Sequence, residues 1–231
     1  MSALEGDNVV DRSKQMAWYN GPSLLERLEN VPIESELNTT DFRFPVQLVI
    51  EKNALAGSIM SGALRKGDEI SVIPSGGHSR IRSIEVDGKE IQEARAPMAI
   101  LVRLEDEIDV NRGDVFVHPK SSPVVSRDMN ALICWMDNKT MVEGGKYLLM
   151  SHSQQAQCVV GKTHYKMNIN TLSPITDNLT FKINDIGKIS IRTKKAVVYD
   201  PYRKNRLMGS FILVDEVTHL TAAAGVVLHD E

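Results

Sequence analysis

The apolar positions of this chain change their period once, near residue 42. Before it, Leu24, Leu25, Leu28 and Val31 recur at spacings of three and four with charges between them, the signature of a half-buried helix. Gly21-Pro22 precedes that run, with proline suited to a first helical turn, and Pro32 ends it. The stretch IESELNTTDF reads as a polar linker. Beyond Phe42 the pattern is one of short strands and turns: FPVQLVIEK, LAGSIMSG, EISVIPSG, AILVRLE, EIDV and GDVFVH. Between them HSRIRSIEVDGKEIQEA predicts a hairpin around Asp87-Gly88, and its first strand changes phase near Ser83, which predicts a bulge. KSSPVVSRD reads as a second linker. It leads to NALICWMD, KYLLMSH, AQCVVGKTHY, IGKISIRTKKAVVY, GSFILVDEV and AAAGVVLH.

Ile189 and Ile191 alternate with Lys188, Ser190 and Arg192, so one face of that strand is buried and the other wet. Phe211 to Val214 is continuously apolar and predicts a strand covered on both faces. The pattern therefore gives an all-β protein of two consecutive barrel-sized units after a short helical segment. The expected divisions are 1–34, 35–119 and 120–231. Closure into barrels removes exposed sheet edges.

Composition narrows the class. The chain has 231 residues, 42% hydrophobic and 25% charged, with formal net charge −3. No global basic excess draws it to nucleic acid, and no run is long and apolar enough to span a membrane. The first residues lack the pattern of a secretory signal. Cys134 and Cys158 stand far apart and are expected to be reduced and buried, which fits a cytoplasmic location. The six histidines are scattered without ligand spacing, so no metal site is expected.

One stretch looks like chemistry. Ala156 to Thr163 reads A-x-x-x-x-G-K-T, a phosphate-binding loop with its first glycine replaced. Val159 and Val160 resist the tight turn that lets successive amides curl round an anion, and no helical pattern follows Thr163. A strand is the better reading. D-x-x-G is absent, and Asn138-Lys139 lacks the carboxylate that would complete N-K-x-D. Gly209-Ser210 carries no base partner in sequence. The pairs Lys194-Lys195 and Arg203-Lys204 read as solvated loop charges.

GSIMSGALRKGDEISVIPSGGHSRIRSIEVDGKEIQEA resembles the second, β-barrel domain of translation-factor GTPases. MAWYNGPSLLERLENV, LEDEIDVNRGDVFVH, YKMNINTL, NDIGKISI and YDPYRKNRLMGSFILVDEVTHLTAAAG, in that order, resemble the GTPase subunit of bacterial sulfate adenylyltransferase. The fold implied is two translation-factor-type barrels after a short helical remnant of the GTPase domain. Ser2, Ala3 and Leu4 resemble the last guanine motif, whose backbone amides contact the base in that family. The resemblance places the phosphate loop, the switches and N-K-x-D upstream of residue 1. GTP and magnesium are then cofactors of the intact subunit, with none in this chain, and the chain alone is expected to be inactive.

The family's holoenzyme makes adenosine 5′-phosphosulfate and pyrophosphate from ATP and sulfate on a separate catalytic subunit, helped by GTP hydrolysis. The implied partners are that catalytic subunit and the GTPase domain, with no membrane and no nucleic acid. His219 departs from an expected Asn, and Ala222-Ala223 from a common Thr-Val. The alternative reading is a translation-factor-like barrel pair that binds RNA.

Overall fold

The computed structural model describes residues 1–31 and 38–229, which fall into two units, one on each side of the gap. The expected division at residue 34 and the helix stop at Pro32 lie outside the described residues.

The first unit holds a 3-10 turn, Lys14–Met16, and one short helix, α1, Leu24–Glu29. Ser23 caps α1 by accepting from the Glu26 amide at 3.3 Å. The helix ends two residues earlier than its apolar pattern predicts. Asn30 terminates it, with its backbone amide and its Nδ2 both donating to the Glu26 carbonyl. Its leucines are uncovered: Leu28 is 63% exposed, and Leu24 and Leu25 are also open.

Among the described residues the second unit is built from sixteen antiparallel strands. Nine form the first barrel: β1 Phe44–Glu51, β2 Ala54–Ser58, β3 Ala63–Arg65, β4 Glu69–Ile73, β5 His78–Val86, β6 Lys89–Ile91, β7 Glu93–Arg95, β8 Ala99–Leu104 and β9 Val115–Val117. The order β4-β9-β1-β2-β8-β5 closes on itself through a β4–β5 pairing, so six strands make the ring. Strand β6 hangs on β5, and β3 pairs with β7 as a separate ribbon. The Asp87-Gly88 turn joins β5 to β6 with both residues at positive φ, the geometry that two-residue hairpins prefer. The bulge lies where the phase change placed it, between Ile81 and Ser83. The stretch EIDV, expected as a strand, is irregular. It runs into a tight turn in which Asp114 Oδ2 accepts from the Asn111 amide at 2.9 Å, while Val110 drops into the core.

The second barrel comprises β10 Val124–Trp135, β11 Lys146–Ser151, β12 Gln154–Met167, β13 Pro174–Ile175, β14 Ile186–Tyr199, β15 Ser210–Asp215 and β16 Thr221–Val227. Its ring, β11-β15-β16-β10-β14-β12, closes through β11–β12, and β13 is appended to β12. Trp135 anchors its core, edge-on to Tyr147 with ring centroids 5.7 Å apart, and its Nε1 donates to the Lys139 carbonyl at 2.7 Å. Ile189 and Ile191 point inward as their alternation predicts. Phe211 to Val214 is not covered on both faces. Ile212 points out and is 36% exposed, because a strand in a single closed ring has one wet side. The stretch read as a second linker is shorter than expected: β10 already begins at Val124.

The two barrels pack on each other. Val115 and Val117 of the first form one buried cluster with Val198 and Met208 of the second. No helix among the described residues is long and apolar enough to cross a membrane.

Candidate functional site

Ser2, Ala3 and Leu4 open a tight turn. The Ser2 amide donates to the Asp7 carbonyl at 3.0 Å, and Ser2 Oγ accepts from the Glu5 amide at 3.2 Å. The loop is then pinned by Asn8. Its φ of 56° is left-handed, a region asparagine tolerates better than most residues. Asn8 is 5% exposed, and its Oδ1 accepts from the Ser13 amide at 2.8 Å. The carbonyls of Asn8 and Val9 accept from the amides of Leu24 and Leu25, which satisfies two donors of the first turn of α1. Arg12 holds the far side through the carbonyls of Asn20 and Gly21. Leu4 projects into solvent at 92% exposure. The amides of Ala3 and Leu4 donate to no acceptor among the described residues, which leaves them available to a ligand.

The apparent phosphate loop is a strand. Ala156 to Thr163 lies inside β12, paired on both sides, with Cys158 and Val160 inward and Val159 and Lys162 outward. Burial pushes the Cys158 thiol up to about 12, so it stays protonated and unreactive. Cys134 is half-buried rather than buried, because its strand turns it to the outer face. Lys194 and Lys195 are exposed but sit in β14 and not in a loop. Ser210 Oγ donates to the Arg206 carbonyl at 2.7 Å.

Among the described residues two serine–histidine contacts exist, Ser190 with His164 at 2.8 Å and Ser71 with His78 at 3.0 Å. Both join neighbouring strands of a barrel wall. Their recurrence in both barrels marks them as cross-strand pairs rather than as a nucleophile and its base.

The most elaborate polar site is one that sequence reasoning missed. At the barrel junction Arg43, fully buried, forms a two-pronged bond to Asp200, itself 1% exposed: Nε to Oδ2 at 2.8 Å and Nη2 to Oδ1 at 3.1 Å. Its Nη1 donates to the carbonyls of Phe42 and Ser121, each at 2.9 Å. Asp41 adjoins the pair, bonded by Ser121 Oγ and by Asn38 Nδ2 and lying 3.4 Å from Lys204 Nζ. Burial raises the Asp41 pKa, but the bonds from Ser121 and Asn38 and the charges of Lys204 and Arg43 outweigh it and hold the group at about 2. Asn205 Nδ2 donates to Ser61 Oγ at 2.8 Å, another link between the barrels. Two cations and two carboxylates balance, and the two at its centre, Arg43 and Asp200, are closed to solvent. Chemically the site is a clamp. The signal for it was a charged residue between two phenylalanines, Phe42-Arg43-Phe44.

Comparison with known proteins matches this architecture. The family model "Elongation factor Tu domain 2" matches residues 55–117, and "GTP-eEF1A C-terminal domain-like" matches residues 128–228. Sulfate adenylyltransferase subunit 1 of Bacteroides thetaiotaomicron is 39% identical over 99% of this chain and 50% of its own length. Along its whole length the chain is homologous to a part of sulfate adenylyltransferase subunit 1. A bifunctional enzyme CysN/CysC of Mycobacterium tuberculosis is 39% identical over all of this chain and 39% of its own length. The chain thus spans about half, or less, of the curated relatives it matches. Among solved structures, sup35 complexed with GMPPNP covers 99% of the chain with TM-score 0.76 at 23% identity, a likeness of fold.

Proposed function

We propose that this chain is the scaffold and coupling module of the GTPase subunit of sulfate adenylyltransferase. The observation that carries this reading is identity near 39% along the whole chain to subunit 1 relatives, with both barrels in place. In the intact subunit GTP and magnesium belong to the GTPase domain, and the free amides of Ala3 and Leu4, held by the Ser2 turn, meet the guanine base. The barrels seat that domain and present a face to the catalytic subunit, which forms adenosine 5′-phosphosulfate from ATP and sulfate in the cytoplasm. The fused pair, locked by Arg43 and Asp200, carries a displacement from one partner to the other as a single body.

Competition tests this. An excess of the purified chain, added to an assembled catalytic subunit and full-length subunit 1, is expected to displace the latter and lower GTP-stimulated product formation. The chain alone is expected to show no heat with GTP or ATP in calorimetry. Undiminished activity at saturating chain overturns the scaffold reading, and micromolar nucleotide binding overturns the assignment of the nucleotide site to another domain.

A second reading, RNA binding, has one observation in its favour: residues 124–229 hold thirteen Lys/Arg against eight Asp/Glu. Steep salt dependence in a tRNA titration is its signature, since phosphate contacts release counterions.

A further inference from the structure

The second barrel's positive excess is gathered at an irregularity in its wall. Along the β10–β14 ladder Ser126 pairs with Val197 and Asp128 with Arg192. Residues 193–196 of β14 therefore stand opposite Arg127 alone, a bulge that breaks the pleat and re-aims side chains. Thr193 turns inward, 2% exposed, and its Oγ1 donates to the Arg127 carbonyl at 3.1 Å. Lys194 and Lys195 stay exposed.

Beside the bulge opens a cleft of about 490 Å³, lined by Arg127, Lys146, Gln157, Val159, Arg192 and Lys194, with Glu216 the one carboxylate on its wall. The ladder register makes its floor a row across four strands, Lys146 to Val159 to Arg192 to Asp128. Neighbouring strands lie about 4.8 Å apart, which sets the Lys146 and Arg192 backbones roughly 10 Å from each other. The Arg192 contact to Asp128, 3.6 Å with both side chains largely exposed, is weak enough to exchange for an incoming carboxylate.

We propose that this cleft receives an acidic segment of a partner protein. Four cations face it, inside a chain whose net charge is −3. The row is of mixed sign: Lys146 and Arg192 flank an apolar centre in Val159 (38% exposed), Asp128 lies beyond Arg192, and Glu216 stands on the cleft wall. An apolar centre with a charged rim suits a protein surface. No aromatic ring lines the cleft for a base to stack on, which disfavours single-stranded nucleic acid. The site stands whether or not the chain serves sulfate activation, because it rests on charge and register alone.

The test is a titration of the whole chain with a fluorescent decaglutamate peptide and, separately, a single-stranded 20-mer RNA, at low and at physiological salt. Arg192→Glu/Lys194→Glu is expected to weaken peptide binding by about tenfold or more. Lys52→Glu/Lys89→Glu, exposed cations of the first barrel, changes net charge equally and is expected to leave binding intact. Unchanged circular dichroism and thermal midpoint confirm folding. If the double reversal unfolds, Arg192→Gln/Lys194→Gln replaces it with the same expectation. Absence of peptide binding at low salt overturns the proposal. So does equal weakening by both pairs, which marks bulk charge, or tighter binding of RNA through Arg192 and Lys194.

Discussion

The two barrels have the same closed six-strand ring and opposite electrostatic characters. Residues 44–117 hold nine Lys/Arg against twelve Asp/Glu, whereas residues 124–229 hold thirteen against eight. The first barrel is made of strands no longer than nine residues and carries a ribbon and a hairpin on its wall. The second has three strands of twelve to fourteen residues, long enough to need register shifts as they bend round the ring. The lesson is that topology sets the ring while the outward-facing half of each strand is free to set the partner. Inward positions are mostly apolar in both barrels. Nothing in closure dictates the sign of the charge outside.

The strongest way to break this pairing of unlike barrels is at the clamp. Arg43→Met leaves Asp200 buried without its partner and is expected to cost about 3–5 kcal/mol. Replacing both, Arg43→Met with Asp200→Leu, is expected to cost less than the single change. Trp135 is the one tryptophan of the barrels, so its fluorescence reports the second barrel while circular dichroism reports both. In urea the native chain should show coincident transitions. Arg43→Met should separate them, and coincident curves at unchanged midpoint would refute the clamp.

Acid sharpens the comparison. Burial pushes His152 of the second barrel down to about 4, only partly offset by the Val198 carbonyl and the Asp200 charge. The unfolded chain protonates this residue first, near 6.5, so stability is lost as pH falls from 6.5 toward 4, by roughly 3 kcal/mol. Asp41 at the junction works in a lower window. Its folded value of about 2 contributes roughly 2 kcal/mol above pH 4, lost as pH falls through 2. Two limbs are therefore expected in stability against pH. His152→Gln should remove the upper limb and leave the lower.

The smallest effect concerns a turn of the second barrel. His219 sits at φ 58° with its side chain in solvent. Asparagine accepts that conformation more readily, so His219→Asn should stabilise the chain by about 0.5 kcal/mol. Thermal melts of the two forms, the substituted one melting slightly higher, check this.

Much of the wall was legible beforehand because strands announce themselves locally. IGKISIRTKKAVVY alternates, and it became β14 without the loss of a residue at either end. The bulge at Ser83 and the Asp87-Gly88 turn were readable because each breaks or obeys a rule within a few residues. EIDV failed because two apolar residues in alternation also suit a plug, and the Asn111–Asp114 turn decided it. Phe211 to Val214 failed because composition cannot say whether a sheet is covered by a second layer. The clamp was only half legible: Phe42-Arg43-Phe44 hints at a buried cation, but Asp200 lies 157 positions away, and no local pattern connects the two. The same holds for the cleft at β14, where Lys194 and Lys195 read as loop residues until the ladder showed them on a bulged strand.

Closure has a consequence for how this protein behaves among other polypeptides. A sheet invites recruitment of foreign strands only where its last ladder is open. Here each ring closes on itself, and the strands appended outside the rings are short: three residues in β6, two in β13 and the three-residue strands β3 and β7. Those margins carry Lys89 and Glu90, Arg65, Glu93 and Arg95, and in β13 a proline that has no amide to offer. A stray chain seeking a template finds charge or a missing donor at these stubs. Other polypeptides must therefore recognise the barrels through side chains on their walls, where binding can be selective, rather than by adding a strand to them.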